Sequence, residues 1–167
     1  GLEYLTGGSM TVAGRAIEVL EKDTQLKPDQ GKALLAEAYG DDEVDIAVGP
    51  VSSGVALAML PVAEEYGKIL IVEPAVADSI TGANWNRYVF RTSRNSSQDA
   101  ISNAAALGKP GVKIATIAPD YAAGRQQIGA FVEGFTEAGG EIVGSQWTPF
   151  QQTTDFGPYL TDAKSSG

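Results

Sequence analysis

Short apolar runs alternate with amphipathic stretches along this chain, and the alternation predicts an α/β protein with mostly parallel strands. The predicted strands lie at residues 16–20, 44–48, 68–72, 88–92, 112–118 and 141–147. The predicted helices lie at residues 29–39, 52–66, 96–107 and 124–138, with a last helix capped by Thr154 or Asp155. The segment at 88–92 is a candidate crossover between two strand–helix series.

Three of these segments carry more specific predictions. Residues 69–72 are apolar at every position, which is typical of a central parallel strand covered on both faces. The helix at residues 52–66 has an apolar stripe, but Pro61 lies inside it and is expected to kink or shorten it. For the helix at residues 96–107, Ser96 or Ser97 is the predicted N-terminal cap.

The composition excludes several classes of chemistry. None of the 167 residues is Cys or His, which excludes disulfides, thiol nucleophiles, Ser-His-Asp triads and imidazole or thiolate metal sites. We expect no metal and no cofactor. The net charge of -9 disfavours nucleic acid and anionic lipid as partners. The opening residues 1–5 are interpreted as the last turn of a helix, so we expect a mature fragment without its signal peptide.

Three segments that follow predicted strands are candidates for a binding site. In Gly49–Gly54, the hydroxyls of Ser52 and Ser53 precede a helix whose free N–H groups favour a carboxylate; alternatively, the two serines only cap the helix. This segment lacks the Lys of a phosphate-binding loop and the pattern of a nucleophile elbow. Residues 73–78 follow the central strand, and their backbone N–H and C=O groups are either free to meet a ligand or part of an ordinary loop. In residues 119–124, Tyr121 either offers its ring or hydroxyl to a ligand or is a packed loop residue.

Two arginines and one tryptophan are further candidates. Arg91 and Arg94 flank the predicted crossover, and a guanidinium suits a carboxylate, although either can instead pair with an acidic side chain. Trp85 is either a ligand platform or a surface contact.

A series of short motifs along the chain resembles, in order and spacing, the sequences of the leucine/isoleucine/valine-binding protein family of ABC-transporter solute-binding proteins. The matching motifs are Val44-Asp45, Gly49-Pro50-Val51-Ser52-Ser53-Gly54, Pro61-Val62-Ala63-Glu64-Glu65, Pro74-Ala75, Tyr88-Val89-Phe90-Arg91-Thr92, Ala118-Pro119-Asp120-Tyr121 with Gly124-Arg125, and Thr153-Thr154-Asp155-Phe156. Each motif is short, and the specificity of the resemblance comes from their order and spacing over nearly the whole chain.

The resemblance implies a type I periplasmic-binding fold, an α/β fold with parallel sheets flanked by helices in two lobes, both incomplete in this chain. Residues 1–91 would form lobe 1 without its first strand, and residues 92–167 the first part of lobe 2. The resemblance also implies a non-enzymatic, periplasmic or otherwise extracytoplasmic protein. Such a protein binds an amino acid or related carboxylate between its lobes and delivers it to a membrane permease.

The resemblance further implies roles for particular residues. Ser52 and Ser53 would hold the ligand carboxylate, and the motif after the fourth strand, in which Tyr121 lies, often carries a Tyr that contacts the ligand from the second lobe. The backbone of Ala75, Val76 and Ala77 would meet the carboxylate and amino group. Arg94 completes the predicted set of ligand-binding residues.

Two departures from the family pattern bear on the ligand. Ala77 stands where many members have Thr or Ser, and Ala123 where many have a Tyr that faces the cleft. Lost side-chain volume at Ala123 favours a ligand bulkier than valine, such as an aromatic acid.

The family runs to more than twice this length, and its first strand would lie between the strands at Ile17 and Ile46. The absence of that strand leaves an open sheet edge. We therefore expect that the chain alone does not bind ligand normally, and that another segment, a rearranged pairing or a second copy in a dimer fills the gap.

Two other classes of function stay open at this stage. A sensor or receptor domain of the same fold would use the same lobes for regulation. An enzyme with a Ser-Lys or carboxylate mechanism is compatible with the composition, although no residue spacing supports one.

Overall fold

Strands and helices alternate through residues 1–166, the part of the chain that the computed structural model describes. The strands are Thr11–Val12 (β1), Arg15–Ala16 (β2), Ile46–Val48 (β3), Ile69–Val72 (β4), Val89–Arg91 (β5), Lys113–Asp120 (β6) and Glu141–Pro149 (β7). The α-helices are Leu2–Leu5 (α1), Pro28–Gly40 (α2), Ser53–Tyr66 (α3), Ser96–Leu107 (α4), Ala122–Glu137 (α5) and Gly157–Ser165 (α6). The predicted α/β class is confirmed.

The two larger sheets of the described chain are parallel. The order β3-β4-β5 forms one of them, and β6 pairs with β7 in the other. Helix α3 connects β3 to β4, and α5 connects β6 to β7, as parallel neighbours require, whereas β4 reaches β5 through a loop that contains the 3-10 turn Asp78–Ile80. Among residues 1–166, no helix combines the length and apolarity needed to cross a membrane.

The predicted strand at residues 16–20 is wrong. The chain there forms a hairpin, in which β1 and β2 pair antiparallel around Ala13 and Gly14, both at positive φ. Such a two-residue turn is the form that matches strand twist. Val19 and Leu20 continue past the hairpin with exposed side chains, because their β-propensity has no neighbouring strand to pair with.

The strand β4 is central, as predicted, but the sheet around it is covered on one face instead of two. Leu70 and Val72 are fully buried, whereas Val48 is 71% and Phe90 51% exposed. The register places the alternate residues together on the uncovered side, here called the apolar sheet face: Ile46, Val48, Ile69, Ile71 and Phe90. A parallel sheet normally buries both faces.

The covered face packs against α2 and α3. The buried cluster beneath it includes Leu35, Val55, Leu60, Val62, Leu70, Val72 and Val89. The Tyr39 hydroxyl on α2 donates to the Ile69 carbonyl at 2.8 Å. Burial raises the pKa of Tyr39 to about 12, so the hydroxyl remains a protonated donor that ties α2 to the sheet.

The helix ends depart from the predictions in informative ways. Pro61 does not shorten α3, which runs on to Tyr66 and ends at Gly67 in the left-handed conformation. Asn95, and not Ser96 or Ser97, caps α4 through a reciprocal pair of hydrogen bonds with Gln98.

Two other helices differ from their predicted starts. The helix α5 begins at Ala122, two residues before the predicted start. Phe156, and not Thr154 or Asp155, occupies the N-cap position of α6. The Asp155 carboxylate instead accepts from the Gly157 N–H at 2.8 Å, which makes a local turn before the helix.

Candidate functional site

The first two candidate segments follow neighbouring parallel strands. Gly49 and Pro50 follow β3, and Glu73 and Pro74 follow β4; both prolines are preceded by cis peptide bonds. Because β3 and β4 are parallel and hydrogen-bonded, both segments leave the sheet at the same edge. In open α/β sheets, this carboxyl edge is where ligands bind.

A buried hydrogen bond joins these two segments. The Ala77 N–H donates to the Ser53 hydroxyl oxygen at 3.1 Å, and the two residues are 0% and 2% exposed. A serine hydroxyl carries one donor and two acceptor positions, so the Ser53 O–H can still donate to a ligand. Ser53 is therefore fixed by the loop after β4 and not by capping its own helix.

Ser52 occupies the N-cap position of α3 but makes no side-chain capping hydrogen bond. It is buried, and its carbonyl accepts the first helical hydrogen bond from the Ala56 N–H. The first-turn N–H groups of the 14-residue helix α3 point toward the site, and their partial positive charge favours an anion. Neither serine therefore caps α3 through its side chain, and a contact between either hydroxyl and a ligand stays a prediction.

Hydrogen bonds from Ser96 and Arg91 fix the backbone of residues 75–77 in place. The Ser96 N–H and hydroxyl both donate to the Val76 carbonyl, at 2.8 and 3.0 Å. The Arg91 guanidinium donates to the Ala77 carbonyl at 2.7 Å. Ala75 and Ala77 are fully buried. The Ala77 N–H and the Val76 and Ala77 carbonyls are therefore already paired within the fold, so the prediction that this backbone is free to meet a ligand is wrong for these three groups.

The third candidate segment reaches the same place from the other parallel sheet. Ala123, at the start of α5, belongs to the buried cluster that also contains Ala75 and Ala77. Tyr121 packs against that cluster, and its ring stacks on Phe150 with centroids 4.4 Å apart. The structure thus brings Ser53, residues 75–77 and Tyr121 together.

Arg94 lies apart from this group. Its Nε atom forms an ion pair with Asp99 at 2.6 Å, and its side chain is 60% exposed. Of the two interpretations that the sequence leaves open, the acidic partner is the one present. A direct contact between Arg94 and a ligand would require the guanidinium to leave Asp99, and it stays a prediction.

Trp85 also lies outside the group. Its indole N–H donates to the Val89 carbonyl at 2.9 Å, and about half of the residue is exposed. It closes the turn before β5 on the surface next to α3.

Several polar residues at this edge escaped the sequence analysis. Thr92 donates to the Glu73 carboxylate at 2.5 Å, and the Ser93 hydroxyl is buried without a hydrogen-bond partner among residues 1–166. Gln126 on α5 exchanges two hydrogen bonds with Ser79. These side chains show no periodicity, and only the pairing of β4 with β5 and the packing of α5 bring them here.

A charged pair fixes the entry to α5. Arg125 contacts the Asp120 carboxylate with two donors, at 2.6 and 2.8 Å, and its guanidinium lies 3.9 Å from the Trp147 ring centroid. The hydrogen bond from Arg125 lowers the pKa of Asp120 below its usual value. This pair holds the end of β6 against α5, next to Tyr121.

The parallel sheets and the convergence of three strand-end segments on one buried cluster are typical of the periplasmic-binding fold. The chain belongs to the family described as Periplasmic binding protein, whose profile matches residues 2–167.

Three similar proteins refine this assignment. A Leu/Ile/Val-binding protein homolog 6 from Brucella abortus (strain 2308) is 31% identical over 98% of this chain. An ABC-type branched-chain amino acid transporter from Rhodopseudomonas palustris CGA009 is 58% identical over 99% of this chain, with a TM-score of 0.72. A solute-binding protein of an ABC transporter from Rhodopseudomonas palustris BisB5, solved with 3,4-dihydroxybenzoic acid, is 36% identical over 99%, with a TM-score of 0.89.

These similarities confirm the resemblance to the leucine/isoleucine/valine-binding family and the periplasmic-binding fold. The chain spans 42% of the Brucella relative and 44% and 45% of the two solved chains, so it corresponds to less than half of each.

Proposed function

We propose that this chain forms part of an extracytoplasmic solute-binding protein, which captures a carboxylate and delivers it to an ABC permease without catalysis. The observation that carries the proposal is the meeting of Ser53, residues 75–77 and Tyr121 at the carboxyl edge of the β3-β4-β5 sheet. Residues 1–91 would form one lobe, and residues 92–167 would begin the second.

The carboxylate would bind at the N-terminus of α3. There the Ser52 and Ser53 hydroxyls and the first-turn N–H groups supply donors and partial positive charge, which a carboxylate needs when it leaves water. The backbone of residues 75–77 forms the opposite wall, and Tyr121 closes the site from the second lobe. No group in this set needs to transfer a proton or attack a bond.

Two alanines favour an aromatic acid over an amino acid. Ala77 has a methyl group and so offers no side-chain acceptor to a ligand amino group. Ala123 is small and lies in the same buried cluster, against which Tyr121 packs. The solved relative with 3,4-dihydroxybenzoic acid supports this choice. The relative described as a branched-chain amino acid transporter makes leucine, isoleucine or valine the second candidate.

Calorimetry on the full-length protein tests the proposed ligand. We expect benzoate, 4-hydroxybenzoate and 3,4-dihydroxybenzoate to bind, because each combines a carboxylate with a flat apolar ring. Benzamide is the matched control, since it keeps the ring but lacks the charge that α3 favours, and we expect it to bind at least tenfold more weakly. Binding of leucine and valine without binding of any benzoate would contradict the aromatic assignment.

The apolar sheet face supports the proposal that other polypeptide covers this chain, either further segments of a longer protein or a second copy. We expect the 167-residue chain alone to self-associate during size-exclusion chromatography, because three strands expose an apolar side to water. The double variant Val48→Lys/Phe90→Lys should elute closer to monomer.

Leu160→Lys is the control, since the exposure of Leu160 lies between those of Val48 and Phe90 but the residue lies on α6. A stable monomer of the unmodified chain would contradict the expectation.

A further inference from the structure

A reciprocal pair of hydrogen bonds links the two proposed lobes. The Ser79 N–H donates to Gln126 Oε1 at 3.1 Å, and Gln126 Nε2 donates to the Ser79 hydroxyl at 2.9 Å. Ser79 lies in the short 3-10 turn Asp78–Ile80 that follows the loop after β4. Gln126 lies on α5, 47 residues later in the chain.

The geometry indicates that this contact is specific. The side-chain amide of Gln126 uses both of its ends, one as acceptor and one as donor, on a single residue of the other proposed lobe. The neighbouring Asp78 is paired independently of Gln126, because its carboxylate accepts from the N–H and hydroxyl of Ser97, five residues after the crossover at residues 88–92. This contact fixes the turn that carries Ser79 near the crossover, whereas Gln126 reaches the turn from α5.

The position of the contact connects it to the site. Ser79 lies two residues after Ala77, and Gln126 lies one helical turn after Ala123 and five residues after Tyr121. Ala77 and Ala123 belong to the same buried cluster. The hydrogen-bonded pair is thus directly beside the candidate ligand site, but its own polar groups are already occupied by each other.

We propose that Ser79 and Gln126 form a latch that holds the two lobes closed around the ligand and so slows ligand release; this rests on the proposed function. When the lobes separate, both groups exchange their mutual hydrogen bonds for bonds to water. The pair then favours closure by the small net gain typical of such bonds. Gln126 is a positioning residue, because it acts on the ligand through the relative placement of the lobes.

The latch is tested on the full-length protein with Gln126→Ala, and Gln127→Ala is the matched control. Both variants remove the same side chain from neighbouring positions of α5, so the change in helix propensity is equal. We expect Gln126→Ala to raise the dissociation rate of 3,4-dihydroxybenzoate about 5- to 30-fold in stopped-flow displacement, with little change in the association rate. Gln127→Ala should match the unmodified protein.

A distance measurement tests closure without a ligand. The chain has no Cys, so Asn84→Cys and Glu133→Cys provide two unique spin-label sites on exposed residues of the two proposed lobes. Pulsed electron–electron double resonance should show a longer mean distance between the two spin labels for Gln126→Ala than for Gln127→Ala. The melting temperature of the ligand-free protein should differ little between the two variants, and a clearly lower melting temperature for Gln126→Ala with an unchanged distance would show a purely structural role instead.

The outcomes separate the two proposals. If the unmodified protein binds none of the benzoates or branched-chain amino acids, the proposed function fails, and the ligand-free distances alone decide whether the latch exists. If the protein binds 3,4-dihydroxybenzoate but the two variants release it at equal rates and show equal distances, the latch is overturned. If it binds only a branched-chain amino acid, valine replaces the benzoate in the same displacement test.

Discussion

Gly124→Ala is expected to displace the turn between β6 and α5 and to lower the free energy of unfolding by about 1–3 kcal/mol or more. A Cβ atom at Gly124 would lie 2.2 Å from the Pro119 carbonyl oxygen and 3.3 Å from the Tyr121 ring. The first of these contacts is with backbone, so the clash cannot be relieved by rotating a side chain. Tyr121 must move with the turn, and ligand affinity should fall as well.

Gly129→Ala is the matched control for Gly124→Ala. Gly129 lies in the same helix, and a Cβ atom there would have no neighbour within 4 Å. Alanine in an open helical position is expected to stabilise the protein by about 0.5–1 kcal/mol. Urea unfolding should therefore give changes of opposite sign for the two substitutions, and a Gly124→Ala protein as stable as the unmodified one would contradict the predicted clash.

Ser53→Ala is expected to weaken both stability and binding. Removing the hydroxyl leaves the Ala77 N–H buried without its acceptor, which costs about 1–3 kcal/mol of unfolding free energy. If the same hydroxyl donates to a ligand carboxylate, its loss should also reduce affinity about tenfold or more.

Ser52→Ala separates the two contributions to the Ser53 result. The Ser52 side chain makes no capping hydrogen bond, so this neighbouring substitution should reduce affinity with a smaller effect on stability. Thermal unfolding and calorimetry of the two variants provide the comparison. An unchanged melting temperature for Ser53→Ala would show that the bond to Ala77 contributes no net stability.

The helices were predictable because they depend on a local period in the sequence, and the parallel strands because strands alternate with those helices. Residues 96–107, for example, agree with α4 at both ends. The strand at residues 16–20 was not predictable in this way, because a strand needs a partner that local sequence cannot supply. Tertiary context also decided the cap of α4: Ser96 and Ser97 bind Val76 and Asp78 instead, which leaves Asn95 at the N-cap.

The residues of the candidate site also divide into those that the local sequence predicts and those that only the folded structure brings together. Ser53 and Tyr121 were found from their positions after predicted strands, since parallel strands bring such positions to one edge. Gln126 could not be found, because a lone glutamine in an amphipathic helix carries no signal until the helix is docked. The pairing of Arg94 with Asp99 likewise depends on side-chain geometry beyond the sequence spacing.

The apolar sheet face also has a thermodynamic consequence. The heat capacity of unfolding and the denaturant dependence both scale with the surface that folding removes from water. A three-stranded sheet with one solvent-exposed face buries less surface when it folds. The heat capacity of unfolding and the denaturant dependence should therefore both be smaller per residue than in a protein whose sheet is buried on both faces. The urea transition of the monomeric chain would accordingly be broad, and its stability would vary little across moderate temperatures.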